Sequence, residues 1–105
     1  MPSYSDHQIE DDIVNRKLTA PRLTPESIDS SISDEQYYVF PGSTLTVCCL
    51  TLRNGYRVTG ESASVSRENF DEELGRNIAR QHARDKIWSL EGYLLKEKLY
   101  NGPHI

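Results

Sequence analysis

No apolar run in this 105-residue chain comes near the ~18 residues that cross a bilayer, and its first residues lack the basic-then-apolar order of a secretory leader. A cytosolic protein is expected. Cysteine is nearly absent. Cys48 and Cys49 are the only two, and as neighbours in a strand-like run they leave opposite faces, so they draw neither a disulfide framework nor a zinc pattern. They read as small core hydrophobes of a reducing compartment. A catalytic thiol would need a base beside it, and His82, the mid-chain histidine, falls on a predicted helix with nothing to bring it to either sulfur. Positive charge is scarce as well: 12 Lys and Arg stand against 16 Asp and Glu, for a net charge of -4. That balance argues against a general nucleic-acid binder and leaves phosphate contact to a local patch. The glycine spacings of a phosphate loop and of a nucleophile elbow are both missing. No cofactor or metal is implied, and the chain is not expected to be an enzyme.

The length suits one domain with a modest core. Residues 1–23 are polar and acidic, through Asp6, Glu10, Asp11 and Asp12, with Pro2 and Pro21, and read as a flexible arm. Within it Ile9, Ile13, Val14 and Leu18 keep helical spacing, so this piece can order as a helix where it docks. Residues 24–105 read as a single α+β domain. Thr24 caps a short helix that starts at Pro25 with Glu26 behind it and runs to about Ile32. Gln36–Phe40 has strand composition, Pro41 and Gly42 turn the chain, and Thr44–Leu52 is the strongest strand, apolar on both faces as for a strand covered on each side. A three-residue loop, Arg53, Asn54 and Gly55, with Gly55 left-handed, puts Cys48, Leu50, Leu52, Tyr56 and Val58 on one face and Gly60 opposite Cys48. Asn69 as cap, with Glu72 three residues on, opens a long helix towards Leu99, with a possible break near Ser89 to Gly92. The expected architecture is a short N-terminal helix, a three-stranded antiparallel meander and a long C-terminal helix packed on the sheet. Along that helix Phe70, Leu74 and Ile78 form one apolar stripe, and Ala79, Ala83, Ile87, Leu90 and Leu94 another about half a turn away. Either a kink turns the second stripe to the same sheet, or it serves a homo-oligomer interface.

Two features carry chemistry. Gly60, Glu61, Ser62 and Ala63 follow a strand, where the glycine would admit a ligand to the backbone and Glu61 and Ser62 would offer an acceptor and a hydroxyl. A polar strand exit is the plainer reading. Arg76, Arg80 and Arg84, extended by Trp88, recur every four residues and so line one side of the helix. Guanidiniums grip phosphates or carboxylates and an indole stacks on rings, so this row is the candidate surface for an anionic ligand or acidic partner. Its bland alternative is a solvated face balanced by Glu72 and Glu73, with Trp88 in the core. Tyr37, Tyr38, Tyr93 and Tyr100 read as packing residues.

The blocks FPGSTLTVCCLTLRNGYRVTGESA, NFDEELGRNIAR and KIWSLEGYLL, in that order and spacing, resemble the gene-49/gene-66 family of small proteins from tailed bacteriophages and prophages, over about Tyr37 to Leu95. Where that family tends to carry a proline before the Leu-Glu-Gly-Tyr block, this chain has Ser89. The resemblance implies a viral accessory protein acting in the host bacterial cytoplasm and assigns no catalytic or ligand-binding residue. The function expected is that of a non-enzymatic binding protein that modulates or inhibits a host or bacterial-defence protein. The alternative is an oligomeric sponge for an anionic small molecule such as a nucleotide signal, held at the arginine row. An enzyme acting through Cys48, Cys49 or Glu61 ranks last.

Overall fold

The computed structural model describes residues 6–15 and 20–102, and Pro2 and Leu18 of the predicted arm lie outside them. The elements are α1 (Asp6–Asn15), α2 (Pro25–Ser30), β1 (Ile32–Val39), β2 (Thr46–Leu52), β3 (Arg57–Ser62) and α3 (Glu72–Tyr100), with a 3-10 turn at Arg67–Asn69 before the last helix. The strands form an antiparallel meander in the order β1-β2-β3, and α3 lies across one face of it. This is the expected α+β arrangement.

Local chemistry accounts for the element boundaries. Thr24 and Ser27 cap α2 reciprocally, each side chain accepting from the other's backbone N–H, and Pro25 occupies the first turn. The helix stops at Ser30, short of Ile32, because the Ser31 hydroxyl and N–H both turn back to the Ile28 carbonyl. Ile32 then opens β1, so this strand begins four residues before the expected Gln36. After Ile32, Ser33 to Gln36 are polar and exposed, as an edge strand with only one ladder to satisfy allows. At the hairpin, Leu52 N–H bonds to Tyr56 O at 2.8 Å, Gly55 has φ +88°, and Cys48 stands opposite Gly60. That is the expected three-residue loop with the left-handed residue where glycine costs least. The helix cap is Asp71 rather than Asn69: the Asp71 carboxylate accepts from Leu74 N–H at 3.0 Å, while Asn69 is spent in the 3-10 turn. No break occurs at Ser89 to Gly92, and α3 runs through 29 residues unbroken.

The described residues share one core. Cys48 and Leu50 of β2, Val58 of β3, Ile28 of α2, and Ala79, Ala83 and Ile87 of α3 are buried together. The Ala79, Ala83 and Ile87 stripe therefore meets the chain's own sheet without a kink. Of the first stripe, Phe70 lies before the helix, at the end of the 3-10 turn, and Leu74 and Ile78 in its first two turns are 55% and 38% exposed. The expected double cover of β2 is corrected by this packing. With one helix for three strands, only the face bearing Thr46, Cys48, Leu50 and Leu52 is covered, and Val47, Cys49 and Thr51 on the other face are half-exposed.

Candidate functional site

The Gly60–Ala63 tetrad resolves first. Gly60, Glu61 and Ser62 belong to β3 itself, so the strand exit comes after them. Gly60 is where α3 rests on the sheet: a Cβ there would stand 2.2 Å from Ala79 O and 2.3 Å from Ala83 N. Only a residue without a side chain lets the two backbones approach so closely, and the two alanines are its counterpart on the helix. Glu61 and Ser62 then diverge as strand neighbours must. Glu61 is exposed, and its carbonyl accepts from Nδ1 of His82 at 2.9 Å. Ser62 lines a small cavity of about 100 Å³ with Phe70, Leu74 and Ile78.

The arginine row rotates from solvent into the interior, because residues four apart on an α-helix drift by about 40° per step. Arg76 is exposed and reaches Glu72 at 3.4 Å. Arg80 donates through Nε to Glu35 of β1 at 3.1 Å, and the Tyr37 hydroxyl donates to the other oxygen of that carboxylate at 2.9 Å. Burial pulls the Glu35 carboxyl upward, but the hydrogen bonds from Arg80 and Tyr37 outweigh it and hold the group below its usual range. Arg84 is only 6% exposed. It donates through Nε to Asp29 at 2.8 Å, through Nη1 to Asp6 at 2.5 Å and through Nη2 to the Pro25 carbonyl at 3.4 Å. Burial disfavours its charge, yet the carboxylates of Asp29 and Asp6 more than compensate and secure the protonated state. Trp88 is half-buried against the core and walls a cavity of about 360 Å³ with Ile9 and Ile13 of α1, Leu23 and Pro25.

Arg80, Arg84 and Trp88 are thus gathered on the side of α3 that faces β1, α2 and α1, whereas Glu61 and Ser62 lie on β3 at the far edge of the sheet. The six candidates do not form one site, and each of the three guanidiniums already holds a carboxylate of the chain. Cys48 is fully buried and burial pushes its thiol up, which makes it a poor nucleophile. Among the described residues, no group of three or more His, Cys, Asp or Glu is placed to hold a metal ion.

A concavity larger than either of these two lies elsewhere. A groove of about 600 Å³ opens between the tip of the β2–β3 hairpin, with Leu52, Asn54 and Tyr56, and the second half of α3, with Leu90, Tyr93 and Leu94. It exists because α3, at ~1.5 Å per residue, is ~43 Å long while a seven-residue strand covers only ~23 Å. The helix outruns its sheet, and its sheet-facing stripe continues into solvent. Of the five residues expected at a subunit interface, Ala79, Ala83 and Ile87 are fully buried within the chain, and Leu90 and Leu94 are 37% and 51% exposed. Sequence reasoning missed Leu52, Tyr56 and Tyr93 as a set. The signal was present in the mismatch between helix length and strand length.

A family model described as the Phage protein (N4 Gp49/phage Sf6 gene 66) family matches residues 23–99. No curated protein and no solved structure matches the chain.

Proposed function

The chain belongs to this family of phage proteins, and we propose that it is a non-enzymatic accessory protein that binds a host or bacterial-defence protein and modulates or inhibits it. The observation that supports this reading is the groove of Leu52, Tyr56, Leu90, Tyr93 and Leu94. A contiguous apolar surface flanked by Arg53 and Glu91, with tyrosines beside leucines, has the composition of a protein-binding patch. Its occupant in this reading is an apolar segment of the partner, with Tyr56 and Tyr93 as the anchoring contacts. No helix among the described residues is long and apolar enough to cross a membrane, and the proposed place of action is the cytoplasm of the host. The sponge reading has less to rest on, because the cations meant to hold the anion are engaged with Glu72, Glu35, Asp29 and Asp6.

Affinity capture from the phage's host with wild type and with Leu90→Asp/Leu94→Asp in parallel tests the proposal. A stoichiometric host protein should be retained by the first and lost by the second, with circular dichroism unchanged between them. A partner held equally by both would take the function away from the groove. Recovery of the chain alone, as a dimer that the double variant abolishes, would replace a host partner with a second copy.

A further inference from the structure

The family match begins at residue 23, and α1, residues 6–15, lies wholly before it. Yet α1 occupies a built seat on the family unit and on Arg22, the residue just before that unit. Its Asp6 carboxylate takes Arg84 Nη1 at 2.5 Å, its Glu10 pairs with Arg22, and its Ile9 and Ile13 face Leu23, Pro25 and Trp88. The seat therefore reads helix, acid and apolar face together: two guanidiniums for carboxylates one turn apart, and an indole floor for aliphatic side chains on the same face.

Three observations mark α1 as a replaceable occupant. First, it fills the seat poorly. About 360 Å³ stays open between it and Trp88, and Ile9 is 46% exposed. Second, ten residues are too few for a stable helix in water, so α1 owes its helicity to the seat rather than the reverse. Third, the seat does not depend on α1 for its charge. Arg84 remains anchored through Nε to Asp29 and through Nη2 to the Pro25 carbonyl, both within the family unit, and only Nη1 turns to Asp6.

We infer that the seat formed by Arg84, Arg22, Trp88 and Leu23 is a docking site for an acidic amphipathic helix of another protein, and that α1 is an internal occupant which such a helix displaces. This surface is separate from the groove at the hairpin tip, and the inference does not rest on that reading. A partner helix of three or more turns would fill the open volume that α1 leaves and carry its acids onto the same two arginines. Because α1 is tethered, it competes at high effective concentration and sets a threshold that a weak acidic helix does not pass.

Trp88 is the only tryptophan and stands in the seat, so its emission reads occupancy without a label. The probe is a synthetic peptide of residues 1–18, which contains no tryptophan. The proteins are the full chain and its variant Asp6→Asn/Ile9→Ala/Ile13→Ala. In the variant, emission should shift to the red and acrylamide quenching should rise. The added peptide should reverse both changes saturably, and bind the variant at least roughly tenfold more tightly than it binds wild type, whose seat is filled. Binding should weaken with salt and be lost for a peptide carrying the same three substitutions. Equal affinity for both proteins, or Trp88 emission identical in both, would overturn the inference. So would a peptide that binds neither, or a single-stranded oligonucleotide that replaces the peptide as the better ligand. Asp6→Asn alone gives a milder release of α1. If that variant as well as the triple one loses more helix signal than α1 contains, α1 is an integral part of the fold and the displacement reading fails.

Discussion

Replacing Gly60 by alanine adds a single methyl group and should be the most damaging small change in the molecule. The methyl would meet Ala79 O at 2.2 Å, Ala83 N at 2.3 Å and the carbonyl carbon of His82 at 2.9 Å. All three are backbone atoms, so no rotamer change relieves the clash, and α3 must lift from the sheet by about an ångström to reach ordinary contact distance. Overpacking in a core typically costs 1–3 kcal/mol. Here the upper end or more is expected, about 3 kcal/mol, because the lifted seam is the one that buries Ala79, Ala83 and Ile87 on Cys48 and Leu50. Domains of this size are stable by only about 5–15 kcal/mol, so the loss is a large fraction of the total. It should appear as a fall in Tm of roughly 12 °C or more, at about 4–8 °C per kcal/mol. Gly55→Ala is the control. Gly55 has φ +88° but no atom within 4 Å of a built Cβ, so it tests backbone strain alone, at about 1–2 kcal/mol. Urea and thermal unfolding followed by far-ultraviolet circular dichroism separate the two. A Gly60→Ala protein within about 0.5 kcal/mol of wild type, or less affected than Gly55→Ala, would refute the close-approach argument.

The arginines should part company on mutation. Arg84→Met, which leaves Asp29 and Asp6 without their shared cation, should cost about 2–3 kcal/mol, less than a fully buried pair because both aspartates can reach water, while Arg76→Ala should stay within about 0.5 kcal/mol; urea titration of both variants checks this. Glu35 has its folded pKa depressed, so its contribution to stability is present above the unfolded value of about 4.3 and is lost as pH falls through the folded one. Glu35→Gln should therefore lower the urea midpoint at neutral pH and flatten its decline as the pH falls into the acid range. Alkylation read by mass spectrometry should modify half-exposed Cys49 in the native protein and reach fully buried Cys48 only under denaturing conditions.

The hairpin was legible to the residue because two independent constraints agreed there. Only one register put the apolar side chains of β2 and β3 on one face, and that same register placed a glycine where the loop turns left-handed. The helix cap was misread by two positions because Asn69 and Asp71 both carry cap chemistry, and the choice between them depends on a 3-10 turn that periodicity does not announce. The first half of β1 was missed for a related reason. Ser33, Asp34 and Glu35 have the composition of a loop, and they are a strand because β2 supplies their ladder.

The arginine row shows where one-dimensional reading ends. Spacing alone places Arg76, Arg80 and Arg84 in line, but the drift of the helix aims them at three different neighbours: Arg76 meets Glu72 one turn back, whereas what Arg80 and Arg84 do depends on carboxylates far away in the sequence. Glu35 is 45 residues from Arg80, Asp29 is 55 from Arg84, and Asp6 is 78 from it. Two of these partners come from inside the family unit and one from the helix that precedes it. The charge balance of the face is therefore set by whether α1 is seated. With Asp6 in place Arg84 is matched by two aspartates; without it the same guanidinium holds one and turns its outer nitrogen to whatever acid arrives. A surface that looks neutralised in the closed chain is, on this geometry, one short helix away from being an acid-binding one, and that difference is measurable at Trp88.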